Sequence, residues 1–188
     1  RNDELLGQIL QRKIDFAFEV DQLKADGLAS LTFGSEEVIL AVPASLPVNR
    51  ELRGFGYRPG SETNGIHSIH DCRPTDVGLF RDVPFVFLRE GNDGHTRGLQ
   101  ICENAGFTPH IVMQVDSSMT CYHLAVAGIG AVFIRNTVLS IEASDKLCYY
   151  RIADPLSVRD IYLYYRAEGR TKTEDTLLSF IKDMVGCA

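Results

Sequence analysis

The sequence predicts an α/β fold of two lobes with a ligand cleft between them. Three observations predict it. Residues 110–134 read as strand, helix, tight glycine turn and strand: HIVMQV, DSSMTCYHLAVA, GIG and AVFI. The middle of the chain, 82–153, carries strands and helices in series, the order of a parallel sheet. The two ends supply a second set, so a contiguous lobe (82–153) is expected inside a discontinuous one (1–81 with 154–188). Two strand crossings would form the hinge. Ligands in such folds bind at the C-terminal ends of the parallel strands, beside helix N-termini.

The elements follow in order. Residues 1–11 set Leu5, Leu6, Ile9 and Leu10 at helical spacing. In IDFAFEV, Ile14, Phe16 and Phe18 alternate with Asp15, Ala17 and Glu19, the period of a strand. LASLTF and EEVILAVP are two more strand signals, closed by Pro43 and Pro47. Residues 49–81 are rich in Gly, Pro, Asn and Ser and poor in period, which predicts a functional loop or a mobile insertion. VPFVFL reads as a strand. GNDGHTRGLQICENAGF reads as a loop and then a helix from near Thr96 to Gly106. The short apolar strands of 110–134 suit a sheet buried on both faces. Their helix opens at the capping residues Asp116, Ser117 and Ser118 and stops at Gly128. KLCYYRI and DIYLYYRA are two further strands, and 173–185 is the last helix.

Composition narrows the function classes. Of 188 residues, 45% are hydrophobic and 23% charged, enough apolar material for a sizeable core. The net charge of -6 and a pI of about 5.3 argue against gripping DNA or an anionic membrane directly, because phosphate binding needs a basic face. No apolar run approaches the ~18 residues of a membrane span. The chain opens on Arg1 without a signal peptide, which reads as a fragment or a processed piece. The cysteines Cys72, Cys102, Cys121, Cys148 and Cys187 are odd in number and lack CxxC spacing. They fit small buried hydrophobes in a reducing cytoplasm better than a disulfide frame.

Few motifs carry chemistry. His67, His70, Asp71 and Cys72 are metal-ligand types. No second pair stands at zinc-finger spacing, so a mobile polar loop outweighs a metal site. Gly128-Ile129-Gly130 follows a helix, whereas the dinucleotide fingerprint opens one and adds a third glycine. It is read as a helix cap and a close packing contact. Cys121 and His123 are two apart on a helix and do not face each other, so they make a poor nucleophile and base. GxSxG, GKS/GKT and HExxH are absent from the sequence. Neither an enzyme nor a cofactor or metal requirement is expected.

With these segments in place, the chain resembles the effector-binding domain of LysR-type transcriptional regulators. The resemblance rests on RKIDFAF, EEVILAVPASLP, DIYLYYR and a closing helix, in the family's order. Its most specific block is FRDVPFVFLREGNDGHTRGLQICENAGFTPHIVMQVDSSMTCYHLAVAGIGAVFI. It covers most of the chain, with 49–78 fitting poorly. It implies a fold like the type 2 periplasmic binding proteins and a small effector held between lobes. It also implies control of an N-terminal winged helix-turn-helix that this sequence lacks, homodimers or homotetramers, and a cytoplasmic location. DNA would be contacted only through that N-terminal domain. Pairing in the family runs through these domains, and helices 1–11 and 96–106 are the candidates. Three departures stand out. The family's first strand and following helix would precede Arg1, Arg135 stands where the family usually has proline, and 49–78 is longer than usual. The proline departure suggests an altered effector preference.

Position on the strand rim selects the binding candidates. They are Arg89, Glu90, His95 and Thr96 after VPFVFL; Asp116, Ser117, Ser118 and Thr120 after HIVMQV; Arg135 and Asn136 after AVFI; and Phe18 and Glu19 from the outer lobe. Hydroxyls, free backbone N–H groups and arginines suit a carboxylate. Glu19 and Asp116 make the set mixed, as an amino acid or hydroxylated acid would need. Against these roles stand simple ones: helix capping for the serines, ion pairing for the arginines, an exposed loop position for His95. The leading function is a sensor of a small carboxylate or amino-acid-like metabolite. A transporter's solute-binding protein is the alternative, and an enzyme with a degenerate motif is third.

Overall fold

LASLTF and EEVILAVP form one strand, not two. Gly34 and Ser35 between them stay extended because both flanks are paired. The computed structural model describes residues 2–20, 22–61 and 65–186. Arg1 and Cys187, used in the sequence reading, lie outside the described residues. The helices are α1 (Asn2–Leu10), α2 (Val48–Glu51), α3 (Asp93–Asn104), α4 (Ser118–Val126) and α5 (Lys172–Gly186). The strands are β1 (Phe16–Glu19), β2 (Leu28–Pro43), β3 (Pro84–Leu88), β4 (His110–Val115), β5 (Val132–Arg135), β6 (Leu147–Arg151) and β7 (Val158–Arg166).

The chain divides into two compact units, 1–36 with 159–188, and 37–158. This differs from the expected division. Residues 37–81 and 154–158, assigned on sequence to the lobe of the chain ends, belong to the inserted unit. The reason lies in the core. Leu52, Val77 and Phe80 pack in one apolar cluster of that unit, and Ile66, Ile69 and Cys72 in another. The stretch 65–81 is therefore folded onto the core and not a mobile insertion. Its structure is short 3-10 turns at Ile69–Asp71 and Val77–Phe80. Turns this short bury only one or a few side chains each, so no helical or strand period appears in the sequence.

In the unit of the chain ends, β1 pairs antiparallel with β7 from Phe16↔Tyr165 to Glu19↔Tyr162, and β7 neighbours β2. Leu163, Tyr165 and Leu178 form its small core, with Phe16, Leu31, Phe33 and Ile181 against them.

The inserted unit is three-layered. β3 pairs parallel with β4. A parallel bridge at Phe85↔Ala131 sets the start of β5 beside β3. β5 and β6 flank the second half of β2, both antiparallel to it. The strand order is thus β4, β3, β5, β2, β6, with β3, β4, β5 and β6 pointing one way. Alternation along β2 feeds the two faces: Val38, Leu40 and Val42 join Phe85, Phe87, Ile101 and Cys102 on the α3 side. Ile39 and Ala41 join Cys121, Tyr122 and Ala125 on the α4 side. The expectation of strands buried on both faces fails for β4. It is an edge strand with Val112 and Met113 exposed.

Candidate functional site

Two helices close on glycine and thereby set the rim. At the end of α4 the Gly128 amide donates to Ala125 O (2.9 Å) and the Ile129 amide to Leu124 O (3.0 Å). That double bond needs the left-handed φ of 87° that Gly128 adopts. Gly130 then lets β5 approach β3: a Cβ there would lie 2.7 Å from Pro84 O. The sequence reading of both glycines as capping and packing residues agrees with this. As a result β3, β4 and β5 end at one rim, and α3 and α4 begin there.

Arg89 is the first residue after β3. Its amide donates to Val115 O (2.9 Å), and its Nε lies 3.3 Å from Asp116 Oδ1. Both side chains are mostly exposed, at 65% and 80%, so water screens the pair and its stabilising value is small. Glu90 beside it is exposed.

His95 and Thr96 stand inside a helix, not before it. The Asn92 side chain accepts from the Gly94 amide and opens α3 at Asp93, three residues earlier than expected. His95 is buried, with Nδ1 2.7 Å from Leu88 O and its ring edge-on to Phe87. It is not the exposed loop histidine that was the simpler expectation. Its imidazole fixes the β3–α3 turn. Thr96 is exposed on the first turn of α3.

Ser117 is the N-cap of α4, with φ -116° and ψ 132°, and its side chain makes no capping hydrogen bond. Ser117, Ser118 and Thr120 are all exposed. Amides in a helix's first turn have no intrahelical acceptor, and the helix dipole favours an anion there. Arg135 is the exposed last residue of β5, opposite Val38. Asn136, half-buried, starts the 3-10 turn Asn136–Ser140. Phe18 and Glu19 belong to the other unit. Phe18 stands edge-on to Phe33 at 4.8 Å, and Glu19 Oε1 accepts from the Val20 amide (2.9 Å).

Sequence reasoning missed a further ion pair at this end of the sheet. Arg151 Nε lies 2.7 Å from Glu37 Oε1, and both side chains are largely buried. The residues are 114 apart, and only the β2–β6 register brings them together, so no local pattern signals the pair.

The group at 67–72 is structural. Asp71 Oδ2 accepts from the His67 and Ser68 amides (2.9 and 2.8 Å), and those two bonds hold its carboxyl below the usual carboxylate range. Burial pushes the Cys72 thiol up to about 11, away from the thiolate that metals bind. The mobile polar loop expected here is a capped turn. Among the described residues, no group of three His, Cys, Asp or Glu is placed to hold a metal ion. Burial likewise lifts the Cys121 thiol to about 11, while His123 is exposed. No described helix is long and apolar enough to cross a membrane. Two shallow cavities of about 560 and 440 Å³ lie around Phe107 and around Asp76 and Asp154. Both are lined by Gly106, beyond the C-terminal end of α3 and away from the rim.

Comparison with known proteins supplies the lineage. The LysR substrate binding domain model matches residues 65–186, which takes in 65–78 of the stretch 49–78 that fitted least well on sequence. A relative from Bacillus subtilis (strain 168), the uncharacterized HTH-type transcriptional regulator YcgK, is 29% identical over 106 residues, 55% of this chain and 31% of that protein. Among solved structures, a mutant of Corynebacterium glutamicum OxyR superposes with TM-score 0.67 at 19% identity, over 98% of this chain and 52% of that one. The BenM effector binding domain with its effector benzoate gives 0.68 at 18%, over 98% and 75%. The Synechocystis PCC6803 CcmR regulatory domain in complex with 2-PG gives 0.69 at 11%, over 98% and 80%. The chain spans less than a third of the curated relative and about half of the OxyR chain. The fold is that of these regulators' effector domains, the type 2 periplasmic-binding-protein architecture. With the family model covering most of its length, the chain belongs to the LysR substrate-binding domain family.

Proposed function

We propose that this domain senses a small carboxylate or amino-acid-like metabolite and reports it to an N-terminal winged helix-turn-helix. The observation that carries the reading is the common rim of β3, β4 and β5, where two helices begin beside Arg89, Asp116 and Arg135. The exposed hydroxyls of Ser117, Ser118 and Thr120 and the first-turn amides of α4 suit a carboxylate. Thr96, Glu90 and Asn136 complete the polar set, and His95 acts by holding the turn. Phe18 and Glu19 stay candidates from the other unit. The bound neighbours support the class of ligand: one holds benzoate and another 2-PG. The matches are to transcriptional regulators, which favours a sensor over a transporter's solute-binding protein. The family is one of regulators and not of enzymes. A cytoplasmic homodimer or homotetramer, with DNA contacted only through the helix-turn-helix, goes with this role. Effector binding would act by shifting the populations of two arrangements of the regulator.

A thermal-shift screen of carboxylates, amino acids and aromatic acids tests it. A true effector at a hundredfold excess over its Kd stabilises by about 2.7 kcal/mol. The same compound must change DNA binding of the regulator that carries this domain. A screen in which no acid raises the melting temperature sinks the reading.

A further inference from the structure

From the hydrogen bonding of one imidazole, we infer that the effector donates a hydrogen bond to His95 Nε2, and so is a hydroxy or amino acid and not a plain carboxylate. This rests on the sensor reading and narrows its ligand class. The ring is already committed on one side. His95 is 8% exposed, and its Nδ1 lies 2.7 Å from Leu88 O. A carbonyl oxygen only accepts, so Nδ1 carries the proton. In a neutral imidazole of that tautomer, Nε2 is a bare lone pair and can only accept. The two ring nitrogens point in roughly opposite directions, which turns Nε2 away from Leu88 O. It has no partner among the described residues. Among those residues the buried side-chain nitrogen or oxygen left unpaired is Arg166 Nε. His95 Nε2, unpaired and not sealed in that way, therefore opens to solvent.

A residue that is buried as a whole thus presents one accessible acceptor, on the first turn of α3 at the rim. The presentation is rigid. Phe87 meets the ring edge-on. A Cβ on Gly94 would lie 2.9 Å from Leu88 Cδ1, and one on Gly98 3.0 Å from Phe87 Cε1, so the turn and the helix are seated tightly around the imidazole. An acceptor held by other bonds loses little freedom when a ligand arrives. Arg89 follows Leu88 directly and brings a largely exposed positive charge from the neighbouring backbone position. The rim therefore offers a cation for a carboxylate and, beside it, an acceptor for a donor. A hydroxyl or ammonium close to the carboxylate uses both. A plain carboxylate leaves Nε2 to water, and an ether oxygen would face it lone pair to lone pair.

The test is calorimetry on the 188-residue chain at about pH 8, above the ordinary imidazole range. The probes differ in the donor: propionate, lactate, alanine and 2-methoxypropionate form one set, and phenylacetate, mandelate and O-methylmandelate another. In at least one set a donor-bearing acid should bind roughly three- to tenfold more tightly than its donorless mates, the worth of one hydrogen bond. His95→Asn keeps an amide N–H for Leu88 O and removes Nε2. It should erase the preference while leaving the affinity for donorless acids within about threefold. Should His95→Asn melt early, nitrogen NMR of the imidazole in the unaltered chain decides. Nδ1 should be the protonated nitrogen, and the donor acid should shift the Nε2 resonance upfield where its methyl ether does not. Equal affinity with and without the donor overturns the hydrogen-bond inference alone. So does a preference that survives in His95→Asn, or a free ring protonated at Nε2. Failure of every acid to bind counts against the rim itself, and so against the sensor reading.

Discussion

Arg166 and Arg89 each stand at the end of a β-strand against a carboxylate, in the two different units of the chain. Arg166 is buried. Its Nη1 donates to Ile9 O (3.0 Å) and Ile14 O (3.3 Å), and its Nη2 donates to Asp15 Oδ1 (3.0 Å) and to Glu174. Four elements meet on this one guanidinium: the end of α1, the approach to β1, the end of β7 and the start of α5. Its Nε is buried without a partner among the described residues. Arg89 has one carboxylate partner and is 65% exposed. The difference teaches where each charge is committed. Water is excluded from Arg166, so its partners are part of the fold. Water surrounds Arg89, so exchanging water for a ligand costs little.

The largest expected effect breaks this comparison at its buried end. Arg166→Met leaves Glu174 facing an apolar side chain. Loss of one partner of a buried pair costs about 3–5 kcal/mol, whereas Arg89→Met should cost less than about 1 kcal/mol. Urea unfolding of both variants measures the contrast. Similar costs would mean that Arg166 is better solvated, or Arg89 more structural, than their surroundings imply.

The two arginines were unequally legible in the sequence. Arg89 follows VPFVFL directly, so strand-end reasoning selects it as a candidate. Arg166 closes DIYLYYR, and its partners at Ile9, Ile14, Asp15 and Glu174 are set by tertiary packing that no local pattern encodes. The same limit hid Glu37 and Arg151. The start of α3 lies earlier than expected for a local reason: the Asn92 cap outweighs Gly94, a poor helix former. The strands were the most legible part, because short apolar or alternating runs bounded by turn residues are a local signal. The boundary of the units was the least legible, because Leu52, Ile66, Ile69 and Phe80 reach the core from turns without period.

A second substitution sharpens the rim side. Gly130→Ala would push a Cβ to 2.7 Å from Pro84 O and 3.0 Å from Pro84 C, both backbone atoms that cannot swing away. Overpacking of this kind costs about 1–3 kcal/mol. The bridge between β3 and β5 should loosen with it, so affinity for an acid ligand at the rim should fall along with the melting temperature. An unchanged melting temperature would show that the strands part without penalty and that the bridge does not set the rim.

Acid should separate the two ends of the comparison by degree. The Thr171 amide, then its hydroxyl, and the nearby Arg166 hold the Glu174 carboxyl at about 2, below its ordinary 4.5. The folded state therefore binds fewer protons than the unfolded one in that interval. The contribution is fully present above about pH 4.5 and is lost as pH falls toward 2. Asp71, lowered by the amides of His67 and Ser68, acts with the same sign. Urea midpoints measured from pH 6 down to pH 2.5 should fall, and Glu174→Gln should flatten part of that slope. A slope unaltered in Glu174→Gln would assign the acid sensitivity elsewhere.

The smallest effect on stability carries the most about binding. Ser117 and Asn92 are both helix N-caps on the rim, and they differ in one bond. The Asn92 side chain accepts from the Gly94 amide at 2.9 Å, and the Ser117 side chain makes no capping bond. Asn92→Ala should therefore cost about 1 kcal/mol. Ser117→Ala should cost less than about 0.5 kcal/mol, the range of surface substitutions that break no such bond. Under the sensor reading its hydroxyl would instead serve a ligand at the first turn of α4. Ser117→Ala should weaken an acid ligand by severalfold in calorimetry with the melting temperature of the free domain unchanged. If Ser117→Ala lowers that temperature as much as Asn92→Ala does and leaves affinity intact, Ser117 is a cap after all, and the anion contacts reduce to the arginines and the helix amides.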